Sequence, residues 1–336
     1  MFTYFLYPFY LFNASYLSGY HLIAPLIILS FLWMVLILPY FYHKKLELPP
    51  AAIFAACTGI LSYGIQFALE RGQFDMICIA LCLTSITLFW VFPKLRLLAY
   101  VLFILAFQFK IYPIVFILCF FENWRDLKKN AIRIGGICLA IFLSLFVMGI
   151  KGFTEFLRAL TWQTASGAYS RDHGINYGID YLTTILGINL SLHSQIAVKL
   201  VVELIGFILL LSVFIIYLKK ERKGGLFPPL LLGCMLAAMA LFPASKDYKL
   251  AMIVGVFCMY VIYLEREITY LPRTNKIQIY GLFSVMAFCY ASIQFSEAYR
   301  PAVLKNSFPF LYLMLILLVA IETIILHKSK TPHSLQ

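Results

Sequence analysis

The chain has 336 residues, of which 62% are hydrophobic and 12% charged, with a formal net charge of +12 and a mean hydropathy of +0.89. An ordinary soluble domain is about 45–50% apolar and about 25% charged, so this chain cannot cover a soluble surface and a soluble globular enzyme is excluded. Gly 18 and Pro 14 are too few for a fibrous or disordered chain.

Apolar runs occupy 21–42, 50–69, 74–92, 131–150, 196–218, 226–243, 247–264, 277–295 and 308–326. Runs near ~20 residues cross a ~30 Å hydrocarbon core as helix. The expected fold is therefore all-α, a polytopic transmembrane bundle of about nine spans forming a single integral membrane domain over 1–336. Tyr 22 and Phe 31 suit interfacial aromatic belts. The basic residues are scattered at the ends of the apolar runs rather than gathered into a block or face. Topology and anionic lipid headgroups explain them, and no nucleic-acid partner is expected.

The stretch 97–121 differs from the others, because Gln108-Phe109-Lys110-Ile111-Tyr112-Pro113 interrupts it. Proline breaks a helix, and a lysine facing lipid at mid-depth costs a few kcal/mol. Basic residues flank this stretch on both sides. The positive-inside rule puts Lys44-Lys45, Lys94 to Arg96, Arg125 to Arg133, Lys219 to Lys223, Arg266 to Lys276 and the tail with Lys328 and Lys330 in the cytoplasm. Alternation is satisfied only if 97–121 enters and leaves on one side, as a broken or re-entrant helix pair with its tip at Lys110–Pro113. Irregular backbone at that depth requires protein or water around it. The outer side then holds 1–20, Glu70 to Asp75, the Lys110 tip, the loop 151–195, Pro243 to Lys249 and Ser296 to Ser307. Within 151–195, Phe153, Phe156, Leu157, Leu160 and Trp162 suggest a short interfacial amphipathic helix.

Cys 8 all fall inside apolar runs without a Cys-x-x-Cys pair. Cys78 and Cys82 read as small residues on one helical face, and neither a disulfide framework nor a metal centre is indicated. The aromatic N-terminus does not resemble a cleavable signal peptide. No internal repeat is visible, which counts against a secondary transporter. Glu203 and Glu322 sit in apolar runs with no partner legible from the sequence.

Charge is scarce in this chain, yet four segments expected on one face are rich in it: Glu70-Arg71-Gly72-Gln73-Phe74-Asp75, Phe109 to Pro113, Pro243-Ala-Ser-Lys246-Asp247-Tyr248-Lys249, and Arg171-Asp172-His173 with Asn176-Tyr177. Cations for a phosphate, a carboxylate to take a proton, hydroxyl and amide groups for a sugar and a side open to lipid are what transfer from a lipid-linked donor requires. Each piece has an ordinary reading beside that one. Arg71 and Lys249 suit snorkelling helix ends, Asp75 suits a helix N-terminus, and Asp172-His173 suits a loop pair. Lys110 follows an apolar run with no nearby end to escape to, which favours a functional role.

The run Glu70 to Asp75, the segment Phe109-Lys110-Ile111-Tyr112-Pro113 leading to Trp124-Arg125, the segment Pro243 to Leu250 and Tyr4-Phe-Leu-Tyr7-Pro8 together resemble glycosyltransferase family 87, membrane glycosyltransferases of the C superfamily. The resemblance implies transfer of a sugar, often mannose, from a polyprenyl phosphate to a glycan or glycolipid on the outer face, by an inverting displacement with little or no need of a metal. It places Arg71, Lys110 and Lys246 around the donor phosphate, and Gln73, Tyr112, Asp247, Tyr248 and His173 about the sugar and acceptor. In that superfamily the catalytic carboxylate lies in a first outer loop after a first helix, whereas no acidic residue here precedes Glu47. The first helix and loop are therefore expected to be missing, with Asp75 and Asp172 as the outer-face substitutes. No cofactor is expected.

The leading expectation is thus a polyprenyl-phosphate-dependent hexosyltransferase of a bacterial inner membrane with a cytoplasmic C-terminus. A lipid-linked glycan polymerase or ligase ranks second, because 151–195 is short for its large outer loop. A lipid or glycan transporter ranks third.

Overall fold

The computed structural model describes residues 16–43, 49–122, 124–165, 173–188, 190–220, 226–242, 247–295 and 305–329. Fourteen α-helices and several 3-10 turns make up these residues, and no strand occurs among them. In chain order the helices are α1 (Tyr16–Leu32), α2 (Leu38–His43), α3 (Pro50–Ile60), α4 (Tyr63–Arg71), α5 (Asp75–Val91), α6 (Arg96–Phe109), α7 (Leu127–Ser144), α8 (Gly149–Ala165), α9 (Ile175–Ile185), α10 (Leu192–Lys219), α11 (Pro228–Ala240), α12 (Ile253–Thr269), α13 (Arg273–Gln294) and α14 (Phe308–Ser329). A π-helical turn, Trp33–Ile37, joins α1 to α2.

Helices α11 and α12 form the centre. Every residue of α11 is buried, as are all residues of α12 from Ile253 to Leu264. A helix apolar on every side belongs inside a bundle. Between helices in lipid, close packing rather than water exclusion supplies the attraction, so small residues mark the tight crossings. Gly59 is one: a Cβ there would lie 2.4 Å from Val254 Cγ1 of α12. The outer helices keep a lipid face, as Leu139, Leu143, Phe207 and Ile208 show by their exposure.

The nine apolar runs fold less uniformly than their lengths suggest. Among the described residues five helices are long and apolar enough to cross a membrane, or six if the bent pair α3–α4 counts as one span. The run 50–69 breaks at Leu61–Ser62 with a 41° bend, where the Ser62 hydroxyl caps α4 by accepting from Ile65 N. The run 247–264 opens with a 3-10 turn, Asp247–Met252, before α12 begins. Segment 151–195 is more structured than a loop. The amphipathic α8 is present, α9 follows it, and α10 starts within it.

The stretch 97–121 is a hairpin. Helix α6 forms one leg and a nine-residue 3-10 helix, Tyr112–Phe120, the other. At ~1.5 Å and ~2.0 Å per residue the legs are about 21 and 18 Å long, so they return to the same level. The ion pair between Arg96, which opens α6, and Glu122, just past the second leg, closes the base. The chain thus turns back on itself between Phe109 and Tyr112, where the sequence reading expects a break.

The end of α10 reaches this base. Tyr217 at the end of α10 donates to the Phe121 carbonyl at 2.6 Å. Lys220 reaches Glu267 of α12 at 3.5 Å and Glu322 of α14 at 3.4 Å. Glu322, without a partner in the sequence reading, therefore has one. It is fully buried and also accepts from Tyr263 Oη at 2.7 Å. A carboxylate inside a bundle is stabilised only when paired in this way.

Candidate functional site

The site lies at the other end of the hairpin. Two side chain-to-backbone bonds fix the register of antiparallel α5 and α6: Ser85 Oγ donates to the Ala99 carbonyl at 2.6 Å and Cys78 Sγ to the Ala106 carbonyl at 3.2 Å. Both belong to one register, in which each step back along α5 is matched by a step forward along α6. Extended to the end, it sets Asp75 level with Phe109 and Phe74 level with Lys110. The Phe74 and Phe109 rings stack there at 6.4 Å.

Asp75 begins α5, and a tight connection delivers it. Helix α4 ends at Arg71, and Gly72 takes the left-handed conformation at φ 56°. The N–H of Gln73 then bonds back to the Ala68 carbonyl at 3.0 Å, a Schellman closure for which glycine carries no Cβ penalty. Phe74 follows, and the helix starts.

The Asp75 side chain is 1% exposed, and Lys110 Nζ stands 3.3 Å from its Oδ2. Among the described residues neither Asp75 oxygen receives a hydrogen bond, so the lysine acts as a charge contact rather than an aligned donor. Asp75 therefore sits in the first turn of α5, as the ordinary reading of its position has it, but its carboxylate does not cap the helix. A capping carboxylate would accept a backbone N–H of its own helix. Lys110, in extended backbone at the end of α6, is one-third exposed and forms the open side.

Tyr112, the first residue of the second leg, is buried beneath this pair. Its hydroxyl lies 3.1 Å from both the Asp75 carbonyl, to which it can donate, and Met252 Sδ. Lys249, from the 3-10 turn that packs against α4 and α5, holds its ammonium 5.5 Å from the centre of the Tyr112 ring. Asp75, Lys110, Tyr112 and Lys249 thus come together from three parts of the chain. Lys110 is the cation set against the carboxylate, and Lys249 lies over the ring beneath that pair. Among the described residues no three His, Cys, Asp or Glu side chains converge as a metal site.

The other expected residues distribute as follows. The Gln73 backbone closes the α4 turn, and its side chain is half-buried beside Asp75. The backbones of Arg71, Asp247 and Tyr248 are placed, on the elements that bound the site, while their side chains lie outside the described residues. So do Lys246 and Asp172 entirely. His173 is fully buried at the start of α14, where its Nδ1 accepts from Ser307 N at 3.0 Å. It serves there as a packed acceptor between the 151–195 segment and α14. Lys249 and the stacked Phe74 and Phe109 went unselected in the sequence reading. Lys249 was legible as the end of the charge-rich segment that begins at Pro243, with a snorkelling helix end as its ordinary reading.

Beside the second leg lies an apolar cavity of about 390 Å³, lined by Ile114, Val115 and Leu118 of the leg, Phe207 of α10, and Leu241 and Phe242 just past α11. Ile114 and Val115 follow Tyr112 within one turn, so the cavity adjoins the ionic cluster, and half-exposed Phe207 opens it toward lipid.

No curated protein matches the chain. The sequence pattern of glycosyltransferase family 87 matches residues 1–260, a span that contains the α4–α5 turn, the whole hairpin and the Lys249 turn, and the chain belongs to that family of glycosyltransferases.

Proposed function

We propose that the protein transfers a hexose, mannose being one candidate, from a polyprenyl-phosphate donor to a glycan or glycolipid on the outer face of the membrane. The observation that carries this reading is the buried Asp75 carboxylate, held against Lys110 at 3.3 Å with neither oxygen hydrogen-bonded among the described residues. A carboxylate so placed has lone pairs available to take a proton, as a general base must.

In the step we envisage, the acceptor hydroxyl oxygen attacks the anomeric carbon while the bond from that carbon to the phosphate oxygen breaks. The electron pair leaves with the polyprenyl phosphate, and the acceptor proton passes to Asp75. Lys110 and Lys249, joined by Arg71 and Lys246, stabilise the charge that builds on the phosphate, which is where fixed cations contribute most. Gln73, Tyr112, Asp247 and Tyr248 border the sugar, and Asp172 is the second candidate for the base. Lys110 moving onto the donor phosphate uncovers Asp75 for the acceptor. The neighbouring apolar cavity suits the first isoprene units of the donor.

The test is transfer by the purified protein in lipid nanodiscs, supplied with radiolabelled polyprenyl-phosphate hexoses. Label moving from the monophosphate to an acceptor, and lost in Asp75→Asn, supports the reading. Use of a lipid-diphosphate oligosaccharide instead would make the protein a polymerase or ligase, and flux without transfer would make it a transporter.

A further inference from the structure

The second hairpin leg is nine residues of 3-10 helix. Such helices rarely exceed ~3–4 residues, because their side chains eclipse and their hydrogen bonds are poorly aligned. This one is held from outside. Trp90 of α5 donates to the Cys119 carbonyl at 2.9 Å, Arg133 of α7 to the Phe120 carbonyl at 2.9 Å, and Tyr217 of α10 to the Phe121 carbonyl at 2.6 Å. Cys234 Sγ of α11 approaches the Val115 carbonyl at 3.5 Å. Four helices thus restrain one irregular strand of backbone.

Glu122 locks the end of it. Its Oε1 takes Arg96 and its Oε2 takes Arg133 Nη2 at 2.6 Å, while its backbone N–H donates to Asn130 Oδ1 at 3.2 Å. The same Asn130 oxygen accepts from Arg133 Nη1 at 3.1 Å. The two guanidinium carbons lie 4.8 and 5.0 Å from the centre of the Phe89 ring. Two like charges this close, one of them only 12% exposed, are held together by the carboxylate between them.

We propose that Glu122 is a positioning residue for the site at the hairpin tip: with Arg96 and Arg133 it keeps the second leg in its extended 3-10 form and so sets the height of Tyr112 and Lys110 against Asp75. Relaxation of the leg to an α-helix would shorten it by ~0.5 Å per residue, about 4 Å in all. That exceeds the 3.3 Å separation of Lys110 from Asp75 and the 3.1 Å contact of Tyr112 with the Asp75 carbonyl. The geometric claim concerns the tip alone. Its bearing on catalysis rests on the function proposed above.

The experiment compares full-length Glu122→Gln with Glu322→Gln, which disturbs the buried carboxylate paired with Lys220, both in lipid nanodiscs. Amide hydrogen exchange of residues 106–116 and sugar transfer are read side by side. Glu122→Gln should speed exchange at the tip by about tenfold and lower kcat more than it raises the donor KM, with recovery in Glu122→Asp. Glu322→Gln should leave tip exchange unchanged. Unaltered tip exchange in Glu122→Gln, or equal acceleration in Glu322→Gln, overturns the proposal. Faster exchange with undiminished transfer upholds the clamp and removes the tip from the catalytic site. If Glu122→Gln does not fold, Arg96→Gln, which leaves the Arg133–Glu122 pair in place, gives the same comparison.

Discussion

Phe74 and Phe109 stack with centroids 6.4 Å apart and planes 9° from parallel, and each ring immediately precedes one member of the Asp75–Lys110 pair. The stack joins the start of α5 to the end of α6, and the ion pair is thereby set by an apolar contact one residue away. The fold supplies the alignment and the charges use it. An aromatic pair of this kind contributes about 0.5–1.5 kcal/mol beyond its buried area. A double-mutant cycle of Phe74→Leu and Phe109→Leu, followed by thermal unfolding in detergent, should return a coupling of about that size. The same variants should lower transfer, because Lys110 loses its register against Asp75.

Asp75→Asn keeps the size of the side chain and removes its charge. Since no described donor bonds the carboxylate, the melting temperature should change little. Transfer should fall by about 10²–10⁴, the range for loss of a general base. A variant that retains activity would exclude Asp75 from that role.

Tyr112 separates two contributions. Tyr112→Phe loses the hydrogen bond to the Asp75 carbonyl yet keeps the ring beneath Lys249. One neutral hydrogen bond corresponds to about 1 kcal/mol, or roughly a fivefold loss of kcat/KM. Tyr112→Ala removes the ring as well, and its effect should be clearly larger in the same assay.

Lys220 is 6% exposed between Glu322 and Glu267. Lys220→Met leaves Glu322 buried without its cation, and breaking such a pair costs about 3–5 kcal/mol. The double variant Lys220→Met/Glu322→Gln should recover most of that stability. Thermal unfolding of the three proteins checks the order. Donor KM should not move, because this cluster lies a hairpin's length from Asp75.

Gly72→Ala places a Cβ on a residue at φ 56°. The left-handed region costs an ordinary residue about 1–2 kcal/mol, so a corresponding loss of stability is expected. Because Gly72 aims the chain from α4 into Asp75, transfer should drop beyond what stability alone accounts for, measured at a temperature where both proteins remain folded.

The hairpin shows how far local pattern carries. Basic residues on both flanks and Pro113 in the middle are features of neighbouring residues, and they suffice to demand a turn back at Lys110. The bend between α3 and α4 was not legible in the same way. Leu61-Ser62 sits inside a continuous apolar run, and apolarity reports burial in lipid without reporting direction. Nor does it distinguish a 3-10 leg from an α-helix, since both carry the same side chains. Here the choice is made by donors on α5, α7 and α10.

The amino-acid sequence on its own determined the solvent this protein folds in, the family it belongs to and the break of the 97–121 stretch near Lys110, because hydropathy and helix breakers act over short stretches of chain. Tertiary structure alone decided that Asp75 faces Lys110 instead of capping its helix, that Lys249 sits over Tyr112, and that Glu322 meets Lys220 from 102 positions away. Those pairings depend on which helices lie side by side and in what register. That is settled by packing between distant segments, for which the order of residues along one helix holds no code.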